Sequence, residues 1–110
     1  EGGSSATEYD AIQFKKHGNG DFTNIVISGY TTSGATAVRI QDAATNTNQV
    51  NANKIKLTSV KINDGTSQFA GAGTLSVTFP SANYTLNNAA TGATLTAGNW
   101  STVNGLNLIQ

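Results

Sequence analysis

No stretch of this 110-residue chain sustains the 3.6-residue apolar period of a helix, whereas short runs of two-residue alternation recur throughout. The cleanest lies past residue 72, where Leu75, Val77 and Phe79 share one phase and Thr74, Ser76 and Thr78 the other, and Pro80 ends the run. Val38 and Ile40 alternate with Arg39 and Gln41, Ile12 and Phe14 share a face, and Ile25-Val26-Ile27 is β-branched throughout. In residues 54–63 Ile55 and Leu57 hold one phase and Val60 and Ile62 the other, a slip that predicts a β-bulge or bend.

Between the runs stand turn residues. His17-Gly18-Asn19-Gly20-Asp21 and Asp64-Gly65 are strong turn signals, the second reading as a hairpin. Residues 43–53 read as a polar loop with a short edge strand around Val50, and further strands are expected at 82–87, 93–97 and 100–109. A helical turn fits only within residues 6–16, and no internal repeat of fixed length is visible. These signals predict an all-β fold: a single β-sandwich or small barrel of about 7–9 short antiparallel strands over residues 9–110, after a flexible tail or linker at 1–8.

Composition narrows the function. Thr, Asn, Ser, Ala and Gly supply 64 of the 110 residues, and charged residues only 11%, against about a quarter in ordinary globular proteins. Six basic and six acidic side chains cancel, so the chain lacks the basic field of a nucleic-acid binder. All twelve lie between Glu1 and Asp64, leaving residues 65–110 uncharged. Charge keeps a surface solvated and apart from its neighbours, so a long neutral stretch predicts surface that is covered or shared. No apolar run reaches membrane-spanning length. Cysteine is absent, which excludes disulfides and thiol chemistry, and the missing methionine at position 1 predicts processing from something longer, with a removed signal peptide as one fit. A neutral, Thr/Asn/Ser-rich composition resembles that of extracellular fibres, pilus subunits and virion proteins.

Chemistry-bearing patterns are sparse. His17 is the lone histidine and stands in a Gly/Asn turn, short of the partners a triad or histidine metal cluster needs. Glu8, Asp10, Asp21, Asp42 and Asp64 are scattered singly, so paired carboxylates would have to converge through the fold. Asn19-Gly20-Asp21 and Asn63-Asp64-Gly65 offer oxygens to calcium but read more simply as turns, and Gly71-Ala72-Gly73 lacks the Lys-Thr and helix of a phosphate loop. Lys15, Lys54, Lys56 and Lys61 permit a Lys–Asn cross-link, though their plainer role is to keep sheet edges from pairing. The expectation is no enzyme, no metal and no cofactor. Asn83-Tyr84-Thr85 and Asn99-Trp100-Ser101 match the glycan acceptor pattern, so a glycan is one expected partner.

The reading favoured by these features is a non-catalytic extracellular structural or assembly protein. It would be a pilus- or filament-type subunit, or its globular head, packing through the uncharged half against itself or a partner pilin chain. Type IV pilins polymerise through a long apolar N-terminal helix, which this sequence lacks. Strand addition is the alternative route, through Leu106, Leu108 and Ile109 at one terminus and Ile12 and Phe14 near the other. A virion decoration or fibre domain has similar needs. A carbohydrate-binding module is the alternative of a different class: it would stack sugars on Trp100, Tyr30 and Tyr84.

Overall fold

A computed structural model describes residues 10–63 and 66–92, with the backbone of Thr102–Val103 and Leu106–Asn107. Six strands form two sheets: β1 (Asp10–Phe14), β2 (Gly20–Ile27), β3 (Thr36–Ile40), β4 (Ile55–Ile62), β5 (Ser67–Gly71) and β6 (Tyr84–Leu86). One sheet has the order β1-β3-β5 and the other β2-β4-β6, all parallel. The chain therefore crosses from sheet to sheet at every connection and returns one rung higher, completing three turns of a coil. That connectivity is the one of a short parallel β-helix.

This overturns the expected antiparallel sandwich or barrel: the sheets are parallel, three-stranded and unclosed. Parallel strands need a crossover to return the chain to the same end, and here the strand of the opposite sheet is that crossover. The expected hairpin at Asp64-Gly65, residues outside the described set, fails for the same reason, because β4 and β5 belong to different sheets. Among the described residues, antiparallel pairing is confined to β7 (Thr102–Val103) and β8 (Leu106–Asn107), which divide what reads as a single strand over 100–109. The coil is also a repeat, with Asp10, Thr36 and Ser67 at one position of successive turns. Its unequal connections hide it from inspection of the sequence.

Stacking in register builds the core. Ile12, Val38 and Phe69 form one ladder, Phe14, Ile40 and Gly71 a second, Phe22, Leu57 and Tyr84 a third, and Ile25, Val60 and Leu86 a fourth. Both sheets face one apolar cluster containing Phe14, Val38, Ile40, Ile55, Leu57 and Val60. Each fully buried aliphatic there contributes about 1.5–3 kcal/mol. Phe69, Phe79 and Tyr84 close the third turn with ring centroids 5.0 to 5.4 Å apart.

The phase slip in β4 is real and has a backbone cause. Ser59 adopts φ +56°, and Asn24, opposite it in the register, adopts φ +55°. The register to β6 shifts at the same point, between Leu57 and Val60. A left-handed residue turns the strand and carries the following side chains onto the other phase. Thr85 Oγ1 accepts from Ser59 N at 3.0 Å and Asn87 donates to Ser59 Oγ at 2.8 Å, offsetting the conformational cost.

Three further expectations change. Residues 75–80 alternate in burial, with Phe79 buried and Ser76 and Thr78 exposed, yet they form no strand. They run as an extended segment whose apolar side chains pack on the core without a ladder. Instead of an edge strand around Val50, residues 43–50 make one helical turn, α1 (Ala43–Thr45), that widens into a π-helical turn over Asn46–Val50, with Val50 fully buried. The helical turn allowed within residues 6–16 is not formed over β1. In the first tight turn the left-handed residues are Lys16 and His17 rather than Asn19-Gly20.

Asp42 joins the first two turns of the coil. Its carboxylate accepts from Lys16 N at 3.0 Å, from Thr45 N at 2.7 Å as the cap of α1, and from Thr45 Oγ1, while Thr45 Oγ1 accepts from His17 N. The backbone amides of Lys16 and Thr45 hold its carboxyl below the ordinary value. A carboxylate with a depressed folded-state pKa adds stability above its unfolded pKa and loses it as pH falls through the folded one. Asp42→Asn is therefore expected to flatten the acid limb of the stability profile, read as urea midpoints between neutral and acid pH. An unchanged acid limb would mean that these bonds are not linked to folding.

Candidate functional site

The sequence-marked residues that are described, Ile12, Phe14, Tyr30 and Tyr84, pack into or against the core and do not form an exposed site. Phe14 is buried in the core, and Ile12 is partly buried against it, both on β1. Tyr84 lies in the other sheet, on the third turn, with Phe69 and Phe79 against its ring and its hydroxyl donating to Gln68 O at 3.3 Å. Burial pushes its phenol up to about 12, so it stays neutral. Tyr30 is partly buried and packs on the core near β2, and its carbonyl accepts from Thr66 Oγ1. Leu106 belongs to β8, of which the backbone alone is described; Trp100, Leu108 and Ile109 lie outside the described residues. Asn83 is buried and its amide nitrogen donates to Asn53 Oδ1 at 3.1 Å, and that burial opposes attachment of a glycan there. Asn99 lies outside the described residues.

The exposed apolar surface is elsewhere, on residues the sequence reading passed over. The large exposed apolar side chains described are Phe22 (42%), Val26 (38%) and Leu86 (51%). Phe22 and Val26 are on β2 and Leu86 is on β6, the two outer strands of one sheet. Phe22 and Leu86 occupy inward ladder positions, but each stands on an end turn, where the ladder stops among the described residues. Phe22 touches Phe14 across the coil, with centroids 6.1 Å apart. Phe22 and Leu86 are exposed because of the turn they occupy, whereas Val26, beside Lys61 in the register and flanked by the core-packed Ile25 and Ile27, takes the outward phase.

A groove of about 580 Å³ runs along β2, lined by Asp21 through Val26 together with Gly92. Its floor is set by the bend at Asn24. That residue's amide donates to Gly92 O at 2.9 Å and to Thr91 Oγ1 at 3.3 Å, and its Oδ1 accepts from Thr91 N. The chain after β6 thus comes back across the sheet, meeting Ser59 through Asn87 and Asn24 through Thr91.

Charge is distributed so that the third turn has none: β5, β6 and residues 66–92 carry no ionisable acid or base apart from Tyr84. Lys56 and Lys61 sit on β4, the central strand, so they guard no edge. That corrects the expectation that the strand lysines block edge pairing. Among the described residues, no helix is long and apolar enough to cross a membrane. Comparison with family models, with curated proteins and with solved structures returns no match.

Proposed function

We propose that this chain is a non-catalytic structural module that works by assembly, as a subunit or head domain of an extracellular fibre, pilus or virion surface. The observation that carries the reading is that, among the described residues, the coil has an outer strand at each end, with Phe22 and Val26 exposed at one and Leu86 at the other. Stacked rungs bury side chains only against the next rung, so an end rung is stabilised by whatever continues the stack. The uncharged third turn adds to this, because no charge there must be desolvated when the surface is covered. The neutral Thr/Asn/Ser composition supports an extracellular setting.

Light scattering across a concentration series tests it directly. The mass is expected to rise above that of the 11.3 kDa chain as concentration increases. A strict monomer at millimolar concentration would sink self-assembly.

A further inference from the structure

We infer that copies of this chain join head to tail, the β6 edge of one against the β2 edge of the next, with Leu86 seated in the groove beside Phe22, Ile25 and Val26. The inference rests on the assembly reading above and specifies its contact. Four observations carry it.

Register comes first. Leu86 stands on Val60, and Val60 on Ile25, while Tyr84 stands on Leu57 and Leu57 on Phe22. A second copy added in the same parallel register places its Ile25 on Leu86 and its Phe22 on Tyr84. The ladders then continue with apolar side chains in every position.

The hydrogen-bonding capacity is also present. Among the described residues β2 and β6 each pair with β4 alone, so each offers one unpaired edge. Strand addition satisfies such an edge with main-chain bonds and leaves specificity to the side chains.

Exposure and shape agree as well. Phe22, Val26 and Leu86 fall on just these two strands, and the groove lies along β2 where a projecting side chain from β6 would arrive. A patch at one end that fits a pocket at the other makes a heterologous contact, which generates a filament or ring and not a closed pair.

Charge does not oppose the contact. β6 is uncharged and β2 carries only Asp21, which is exposed. The alternative contact, β6 against β6 about a two-fold axis, would leave the groove and both exposed β2 residues unused.

The test uses two variants, each blocking one end: Val26→Asp and Leu86→Asp. Each alone is expected to stay monomeric at concentrations tenfold above those at which the wild type assembles. Mixed in equal amounts they should form dimers and nothing larger, since Val26→Asp keeps its Leu86 and Leu86→Asp keeps its groove. A mixture that stays monomeric overturns the contact. So does a Val26→Asp protein that dimerises alone, which would mean pairing through β6. Variants that assemble as the wild type does overturn this contact and leave the assembly reading standing, whereas a wild type that never assembles removes both. Far-UV circular dichroism confirms folding, and Val26→Thr with Leu86→Ser repeats the test if either aspartate variant unfolds.

Discussion

Replacing Arg39 with alanine is expected to destabilise the fold by about 3 kcal/mol, because it removes the countercharge of a buried carboxylate and leaves it only the neutral donors of Thr36 and Gln13. Asp10 has a side chain only 3% exposed, and Arg39 Nε donates to both of its oxygens, at 2.8 and 2.9 Å. The guanidinium also donates to Gly71 O at 3.2 Å and to Gly34 O at 2.6 Å. One side chain on β3 therefore ties the first turn, the third turn and the loop between β2 and β3. Urea unfolding reads the loss, and a double variant, Asp10→Asn with Arg39→Met, should cost less than Arg39→Ala alone. A loss under about 1 kcal/mol would put the pair in the class of solvent-exposed bridges.

Gly71→Ala should cost about 3 kcal/mol, the upper end for overpacking, for a steric reason that no repacking of side chains relieves. A Cβ at this position would overlap the carbonyl of Leu75, a backbone atom. After β5 the chain doubles back through a turn closed by Leu75 N donating to Ala72 O at 3.1 Å, and it passes over Gly71 so closely that only glycine fits. Gly34 makes the useful contrast: it has φ +85° and open space around its Cβ position. Alanine there should lose only the conformational cost of about 1–2 kcal/mol. Equal losses at the two sites would refute the steric account.

Strand content was legible only in part, and topology was not: β1 to β4 and β6 fall on expected runs, but β5 was not expected and the cleanest alternating run, residues 73–79, forms no strand. The alternation of Val38 and Ile40 with Arg39, the run Ile25-Val26-Ile27 and the phase slip across Ser59 each correspond to what the backbone does. Period-two patterning reports which face a residue takes but is blind to which strand lies beside it. Asp64-Gly65 shows the consequence: a local hairpin signal stood where the chain passes between sheets. The repeat was hidden because its ladders are conserved in apolar character and not in residue type, as Phe22, Leu57 and Tyr84 illustrate. The exposed apolar residues were hidden for a related reason. Val60 and Leu86 share a ladder and a phase, and position along the coil alone makes one buried and the other half exposed.

The ladders also imply an uneven resistance to opening. The large side chains with almost no exposure are Val38, Ile40, Thr45, Val50, Ile55, Leu57 and Val60, and all of them belong to the middle turn. Among the described residues that turn alone has a neighbour on each side. In a one-dimensional stack each turn is held by the turns it touches, so the outer two fray while the centre persists. An added copy would convert an outer turn into an inner one, and the protein's rigidity would then grow with the length of what it builds.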